Sequence, residues 1–434
     1  MFINRNKELK ELKNYSKLAL TGRRRIGKSA LVDEYLKDNN GLRLQAIEST
    51  QALQLQNIWA ELQEYLPISI EPQSFEDLFE LINVGLMART NKEKFTICFD
   101  EFPYLYETDN SIASRFQKWL DSKKFPKNLQ VIFCGSSRSM MHLLFERSSS
   151  PLFDRCEHII RLPPLSYKHF CEFLKLPALD LSSFTLYSLV GGIPKYWHLL
   201  KHGDLHPLVV VTKLFMDSTA YFENEPERIL RDEKIDGISA LGVFDAIGRG
   251  ANKPSEIAAR AGIPVNGLSR LLKFLTETYL IKVVTPFGMD ENTTKNRIYI
   301  ISDPALRFWY SVARVHREKW RFYDEKKQSD ILKIHVGAIM EQSIREYYQA
   351  QNYWERSNLE IDLVRYNQEN YTEIIVSEIK LRKLKKMERL KIHQDLDEKI
   401  LSSQLVHKYI SWKSEVLDET DCLNLLANEA GATG

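Results

Sequence analysis

Residues 22–29 read Gly-Arg-Arg-Arg-Ile-Gly-Lys-Ser and satisfy every fixed position of the phosphate-binding pattern G-x-x-x-x-G-K-[ST]. In such a loop the backbone N–H groups turn towards a β-phosphate, the lysine reaches the β- and γ-phosphates, and the serine hydroxyl binds Mg²⁺. Residues 18–21 predict a strand, and residues 30–36 predict a helix whose amino end faces the phosphates. The sequence therefore predicts a site for ATP and Mg²⁺ built from Gly22, Arg23, Arg24, Arg25, Ile26, Gly27, Lys28, Ser29 and Ala30.

An acidic pair follows a second apolar run further along the chain. Residues 94–99 predict a buried strand that ends in Asp100 and Glu101. A parallel strand would deliver Asp100 to the metal at its carboxyl end, as in the Walker B element of P-loop NTPases. Glu101 is suited to act as the general base that polarises the attacking water. Together with the loop, this pair predicts an NTP hydrolase.

Two further catalytic candidates follow the strand predicted at residues 129–134. Ser136 or Ser137, at the tip of that strand, is placed to sense a γ-phosphate, although an ordinary Gly-Ser turn has the same sequence. Arg155 is a candidate for approaching the γ-phosphate, in cis or from a neighbouring subunit, since an arginine so placed raises the rate by about 10³–10⁵ in well-studied cases. Alternatively, Arg155 is an ordinary loop arginine that is exposed to solvent.

Several motifs together resemble the archaeal ATPase group of the STAND class, signal-transduction ATPases related to AAA+ proteins. Residues 2–12 are similar to its F-x-x-R-x-x-E-L-x-x-L box, the loop is rich in arginine, and residues 192–194 match its Gly-x-Pro box. The resemblance implies that Arg5 lies near the adenine and that Pro194 touches the nucleotide from a helical lid. It covers the chain up to the Gly-x-Pro box.

Length and composition limit the number of domains, the possible partners and the location of the protein. The chain has 434 residues, enough for about two to four domains, and a net charge of only +2, so a nucleic-acid surface would need local basic patches. Its five cysteines show no paired spacing, which favours reduced thiols. No apolar run reaches the length of a membrane span, and the N-terminus lacks the apolar core of a signal peptide. We therefore expect a cytoplasmic protein with no membrane partner.

The predicted fold class is α/β, with a P-loop parallel sheet followed by smaller modules. Alternating strand and helix patterns end at a proline break near residue 165, and helical patterns follow it. The predicted domains are an ATPase core at 1–165, a helical lid at 166–235, a winged helix at 236–310, a linker helix at 311–329 and a mixed α/β domain like the restriction endonucleases at 330–434.

The predicted winged helix leaves its role open. A helix–turn–helix of this kind can place its second helix in a DNA major groove. Winged helices in related ATPases also serve as internal packing modules, and Arg270 and Lys273 are too few charges to decide. The aromatic and basic tract at 307–323 has the same ambiguity between stacking on single strands and burial in a connector, and burial is the favoured interpretation.

The last segment carries a second set of candidate residues. Asp362 lies in one predicted strand, and Glu378 and Lys380 lie in the next, in the order of the PD-(D/E)xK nucleases. The period of two places Glu378 and Lys380 on one face, where Asp362 and Glu378 can hold Mg²⁺ and the lysine can position water or stabilise the phosphorus. Glu341, on a helix predicted to open near Gly337, would be an accessory ligand.

This segment, with Trp354 upstream of its acidic strand, also resembles a nuclease-like domain found behind archaeal-ATPase modules. The basic run at 381–391 can follow a phosphate backbone, or it is a solvated helix face. The sequence thus predicts an ATP-hydrolysing switch whose C-terminal modules bind or cut DNA, with self-association left open. The alternative is a signalling ATPase that cuts nothing and whose C-terminal modules bind protein.

Overall fold

The structure is a computed structural model that describes residues 2–89, 93–233, 235, 237–290, 294–355 and 359–428. The chain divides into two compact units, Met1–Pro164 and Leu165–Gly434. Among the helices in these ranges, none combines the length and the apolar character needed to cross a membrane.

Strands and helices alternate along the first unit. The strands are β1 (Lys17–Thr21), β2 (Gly41–Gln45), β3 (Phe95–Asp100), β4 (Leu129–Gly135) and β5 (His158–Arg161). The helices are α1 (Asn6–Asn14), α2 (Lys28–Lys37), α3 (Gln51–Leu62), α4 (Phe75–Ala88), α5 (Pro103–Thr108), α6 (Ile112–Leu120) and α7 (Arg138–Phe145).

The strands form one parallel sheet in the order β2-β3-β4-β1-β5. Every residue of β3 and β4 is buried, as expected for central strands covered on both faces. Thr21 pairs with Gly135, so the carboxyl ends of β1 and β4 lie side by side, with that of β3 next to them. The prediction of a parallel α/β sheet is confirmed, and its topology brings the segments after β1, β3 and β4 to one edge.

An aromatic cluster holds the two central strands against the helices. The ring of Phe116, on α6, makes edge-to-face contacts with Phe99 at 5.0 Å, Phe102 at 5.1 Å and Phe133 at 5.4 Å. Such contacts add to the free energy of burying the rings. The cluster therefore fixes β3 and β4, the strands that lead to Glu101 and Ser136.

The second unit begins with helices and ends with a mixed sheet. Its helices are α8 (Tyr167–Leu174), α9 (Leu181–Val190), α10 (Pro194–His198), α11 (Pro207–Val211), α12 (Glu225–Asp232), α13 (Gly237–Gly248), α14 (Pro254–Ala261), α15 (Val265–Glu277), α16 (Pro304–Phe308), α17 (Arg314–Trp320), α18 (Glu325–Tyr348), α19 (Lys386–Ser402) and α20 (Glu419–Ala427). Its strands are β6 (Ile281–Val284), β7 (Ile298–Ile301), β8 (Gln351–Trp354), β9 (Glu360–Asn367), β10 (Asn370–Ile379) and β11 (Ser411–Leu417).

The C-terminal sheet has the order β11-β10-β9-β8. β8, β9 and β10 are antiparallel neighbours, whereas β11 runs parallel to β10 after a crossover through α19. The pairing of β8 with β9 shifts register between Gln351 and Tyr353, and Asp362 lies in the shifted stretch. Irregularities of this kind redirect side chains and are common beside active sites.

The antiparallel pair β6–β7 packs against this sheet through its connecting segment. Phe287 donates its backbone N–H to Asn352 O at 2.9 Å, and its ring lies 4.9 Å from that of Tyr366 and 5.8 Å from that of Tyr409. The hairpin and the C-terminal sheet therefore share a core.

Two helices in this unit have other limits than the sequence patterns predicted. The segment 311–329 is not one linker helix, because α17 ends at Trp320 and Asp324 accepts a hydrogen bond from Lys327 N as the cap of a new helix. That helix, α18, begins at Glu325, so Gly337 lies in its interior and a domain boundary at residue 330 would cut through it.

In the tract 307–323, Phe308, Tyr310 and Trp320 are buried, in keeping with the connector interpretation.

Gly248 is required by close packing between α13 and the segment after α16. A Cβ on Gly248 would lie 2.5 Å from Tyr310 Cβ and 2.8 Å from its carbonyl carbon. We predict that Gly248→Ala lowers the free energy of unfolding by about 1–3 kcal/mol, because the backbone must move. Gly267→Ala, on α15 with only one atom within 4 Å, is the control and should raise it by up to about 1 kcal/mol. Denaturant titration of both variants measures the difference, and equal effects would contradict the packing argument.

Candidate functional site

The loop after β1 wraps around the side chain of Lys28. Arg25 and Gly27 have φ of 70° and 99°, and Ile26 N–H closes a turn onto Arg23 O at 3.2 Å. These left-handed conformations, which glycine adopts without strain, reverse the chain just before α2 begins. Lys28 is buried, and its Nζ donates to Gly22 O at 2.9 Å. The loop thus holds one ammonium group at its centre, and Ala30 continues into the first turn of α2.

The carboxylate of Asp100, at the end of β3, is the centre of the site. Its Oδ2 accepts from Ser29 Oγ at 2.8 Å and from an Arg43 guanidinium nitrogen at 2.9 Å. Its Oδ1 accepts from Glu101 N–H at 3.0 Å. Asp100 is only 2% exposed, so these contacts replace the water that the charge has lost.

Arg43 is a site residue that the sequence analysis missed. It lies on the edge strand β2 and pairs with Asp33 at 2.8 Å as well as with Asp100. Burial opposes its charge, but hydrogen bonds and charges of Asp33 and Asp100 outweigh burial and raise the pKa of the guanidinium. No motif marks this position, because only the pairing of β2 with β3 brings Arg43 to Asp100.

Glu101 and Ser136 form the next layer of the site. Ser136 donates both its backbone N–H and its hydroxyl to Glu101 Oε2, at 3.1 and 2.7 Å. Glu101 has φ of 52°, an uncommon value for a residue with a side chain, which is typical of functional positions. Ser137 instead caps α7 by accepting from Met140 N. Of the two serines predicted as sensors, Ser136 is therefore the one that contacts Glu101.

Arg5 and Pro194 lie in different units. Arg5 is buried, pairs with Glu8 at 2.9 Å and donates to Pro163 O at 2.7 Å, which ties the start of α1 to the end of the first unit. Pro194 is the first residue of α10 in the second unit. Their contacts with a nucleotide stay predictions.

Arg155 is not beside the phosphate loop of its own chain. It precedes β5, whose first residue, His158, pairs with Leu18 near the start of β1, whereas the loop follows Thr21 at the other end. Because strands rise about 3.3 Å per residue, the length of β1 separates the two positions. Arg155 pairs instead with Asp121 at 2.9 Å. An approach of Arg155 to a γ-phosphate, in cis or from a neighbouring subunit, stays a prediction.

A second group of charged side chains lies on the C-terminal sheet. Asp362 Oδ2 accepts from Ile379 N–H at 2.8 Å, which brings this carboxylate to the end of β10. Glu378 Oε1 pairs with Lys380 Nζ at 2.7 Å, and its Oε2 pairs with Lys399 Nζ, on α19, at 3.1 Å. The structure thus brings Asp362, Glu378 and Lys380 together. It adds Lys399, which no sequence pattern marks.

Two carboxyl groups in this region, those of Asp362 and Glu341, have raised pKa values. Burial, with the charges of Glu378 and Glu341, raises the pKa of Asp362 to about 7. Burial also raises the pKa of Glu341, which pairs with Arg345 at 3.6 Å on α18. Within the described ranges, no group of three or more His, Cys, Asp or Glu side chains is arranged to hold a metal ion. Asp362 and Glu378 are thus a pair, with Glu341 near enough to act on Asp362 through its charge.

Comparisons with known proteins agree with the geometry of the first site. Residues 2–200 match the family model described as an ATPase domain predominantly from Archaea. The whole chain is 25% identical to an uncharacterized protein of Methanocaldococcus jannaschii, and the alignment covers 98% of each chain.

A solved structure shares the fold. The Walker-type ATPase of Pyrococcus abyssi superposes with a TM-score of 0.52 at 21% identity, covering 72% of this chain and 96% of that one. A STAND protein with a tetratricopeptide repeat sensor from Pyrococcus horikoshii covers 80% of this chain and 47% of its own at 14% identity, with a TM-score of only 0.27. Residues 2–200 therefore hold an ATPase domain of the archaeal P-loop type.

The pKa of Asp362 gives a pH-dependent prediction. The folded state keeps the proton to about pH 7, whereas the unfolded chain releases it near 3.8, so ionisation favours unfolding as the pH rises between these values. The free energy of unfolding of Asp362→Asn, relative to that of the parent, should therefore rise from pH 4 to 7 by at most about 1.4 kcal/mol per pH unit. Above pH 7 the difference between the two proteins should be constant. Unfolding of the parent and the variant across this range is the measurement. The exposed Asp395→Asn serves as control, and a pH-independent gain for Asp362→Asn would contradict the prediction.

Proposed function

We propose that this chain is a STAND-type switch that binds ATP with Mg²⁺ and hydrolyses it slowly. The observation that carries the proposal is the 2.8 Å contact between Ser29 Oγ and Asp100 Oδ2. A loop serine and a strand-end aspartate are the protein ligands that P-loop NTPases offer to Mg²⁺, and Mg²⁺ prefers such hard oxygen atoms. The residues present therefore fit the ion, which would neutralise charge on the β- and γ-phosphates when bound.

Lys28 supplies the phosphate contact in this proposal. Its ammonium group already lies inside the loop, where its hydrogen bond to Gly22 O can be exchanged for phosphate oxygens. Arg43 also holds Asp100, because its guanidinium group donates to the same carboxylate oxygen as the hydroxyl of Ser29. The carboxylate is thereby positioned before the nucleotide arrives, which reduces the cost of reorganisation.

Glu101 is proposed as the general base and Ser136 as the residue that orients it. Both hydrogen bonds from Ser136 end on Oε2 of Glu101, so the carboxylate is fixed at the edge of the sheet where the loop also ends. A carboxylate that is already held in this conformation takes a proton from water without a preceding change of side-chain conformation.

Glu101→Gln should keep nucleotide affinity close to that of the parent and lower turnover by about 10²–10⁴-fold, because the amide keeps the shape but cannot accept the proton. Lys28→Ala is the contrasting variant and should lose detectable ATP binding, since no other described ammonium group lies in the loop. Calorimetric titration and phosphate release measure the two effects. Turnover by Glu101→Gln at the parental rate would place the base elsewhere, and unchanged affinity of Lys28→Ala would refute the proposed nucleotide site.

We further propose that residues from α18 onwards form a nuclease-like module of the PD-(D/E)xK type. Support comes from the element order, a helix, three antiparallel strands, a crossover helix and a parallel strand, and from the contacts of Asp362, Glu378 and Lys380. Asp362 and Glu378 would hold Mg²⁺ once Asp362 is ionised. Lys380 would then position water or stabilise charge at the phosphorus.

DNA is the proposed substrate or ligand of this module. Lys383, Lys385 and Lys386 are exposed just before and at the start of α19, shortly after Lys380, which follows the end of β10. The segment from α13 to β7 has the element order of a winged helix, and Arg270 and Lys273 on α15 are exposed. Exposed basic groups of this kind bind phosphate backbones in a salt-dependent way. The alternative function is a signalling ATPase that cuts nothing. The two functions differ in one observable, which is metal-dependent cleavage of DNA.

Plasmid nicking separates these possibilities. Asp362→Asn and Lys380→Ala should abolish Mg²⁺-dependent nicking at both low and moderate salt, because they remove a metal ligand and a stabilising charge. A variant with Lys383, Lys385 and Lys386 all changed to Ala should lose nicking at moderate salt and recover it at low salt, because only backbone contacts are weakened. ATPase activity should stay near the parental level in all three. If the parent never nicks DNA with any divalent metal or nucleotide, the nuclease proposal is wrong and the signalling alternative stands.

A further inference from the structure

Two ammonium groups lie beside the single carboxylate of Glu378. Lys380 Nζ is 2.7 Å from its Oε1, and Lys399 Nζ is 3.1 Å from its Oε2 and 3.4 Å from its Oε1. Glu378 is only 8% exposed, and charges that are largely buried are screened weakly. A carboxylate that the proposed metal site needs is therefore already compensated by the chain itself.

The packing of α19 brings Lys399 to this carboxylate. Leu396 and Ile400, on the same helix, are buried in the core of the C-terminal sheet. Leu396 precedes Lys399 by three positions and so lies on the same face of the helix. The ammonium group of Lys399 is therefore held at Glu378 by the same packing that fixes α19 on the sheet.

The two lysines are held differently. Lys380 is two residues from Glu378 along the chain, and its backbone N–H donates to Leu417 O at 2.9 Å. Lys399 comes from a separate element, makes the longer contact and keeps 40% of its side chain exposed. Lys399 is therefore the more weakly held of the two, and its ammonium group can move into water.

A divalent ion between Asp362 and Glu378 would be a third cationic centre at the same carboxylate. Like charges a few ångströms apart repel strongly where little water lies between them. Within the described ranges, no third His, Cys, Asp or Glu side chain joins this pair in an arrangement that could hold a metal ion, so no further ligand charge offsets the repulsion. Metal binding therefore requires one of the two ammonium groups to leave Glu378.

We propose that Lys399 is an internal counter-ion that competes with a divalent metal for the carboxylate of Glu378. In the metal-free protein its ammonium group occupies the carboxylate and keeps the affinity for metal low. Binding of an ion displaces that group into water, whereas Lys380 stays beside the site. The inference rests on the proposed metal site of Asp362 and Glu378, and it makes Lys399 a residue that regulates metal binding and not a catalytic residue.

Binding of Mn²⁺ to the full chain without nucleotide tests the proposal, with free Mn²⁺ measured by paramagnetic resonance. Mn²⁺ accepts the same carboxylate oxygen ligands as Mg²⁺. Lys399→Met should bind Mn²⁺ about tenfold or more tightly than the parent, because it removes one positive charge beside Glu378. Lys399→Arg, which keeps the charge, should bind like the parent. Lys391→Met, at an exposed position of the same helix, is the matched control and should also bind like the parent.

Further variants locate the effect and keep the test decisive. Lys399→Gln is the second neutral variant should Lys399→Met fail to fold, and it should show the same gain. Adding Glu378→Gln to either neutral variant should remove the gain. The proposal is overturned if the neutral variants bind Mn²⁺ no more tightly than the parent, or if Lys399→Arg gains as much as they do.

The same data separate this proposal from the nuclease proposal. If the parent and the Lys399 variants bind Mn²⁺ equally and Glu378→Gln weakens binding in all of them, the metal site stands and only the role of Lys399 is refuted. If Glu378→Gln changes Mn²⁺ binding in none of them, the role of Lys399 and the proposed metal site of the nuclease-like module are both refuted.

Discussion

The first unit depends on keeping one carboxylate charged inside a sheet. Asp100 is buried at the end of a strand whose every residue is buried, and its charge is stabilised there by Ser29, Arg43 and the N–H of Glu101. Each donor comes from a different segment, so the carboxylate ties the loop after β1 and the edge strand β2 to the central strand. A buried charge is tolerated only where hydrogen bonds and an opposite charge replace water. The same set of contacts positions the oxygen atoms suited to Mg²⁺.

The second unit handles buried charge in a different way. Glu378 is paired with Lys380, just after β10, and with Lys399 on α19, whereas Asp362 accepts from one backbone N–H and has two carboxyl neighbours. Its pKa therefore rises towards neutrality, and a metal ion would be the partner that lowers it again.

Much of the architecture could be predicted from local sequence. The patterns around residues 18–21, 94–99 and 129–134 predicted β1, β3 and β4 to within one residue, because buried parallel strands have continuous apolar sequences. The helices α13, α14 and α15 were likewise expected from their period and their glycine and proline boundaries. The break between α17 and α18 was missed, because the apolar pattern continues across it and only the cap at Asp324 ends it. The short edge strand β2 was not predicted, although Leu42 and Leu44 alternate with Arg43 and Gln45 in the period of two that is typical of a strand.

The sequence by itself determined which residues are candidates for the chemistry, since a phosphate loop, an acidic strand end and an Asp…Glu-x-Lys order are recognised from spacing along the chain. Only the tertiary structure decided what each residue contacts. It paired Arg43 with Asp100, chose Ser136 over Ser137 as the neighbour of Glu101, sent Arg155 to Asp121 at the far end of the sheet, and added Lys399 to Glu378. These partners are remote in sequence and carry no motif. Their proximity comes from strand order and helix packing, which are set by the burial of the whole core rather than by any local pattern.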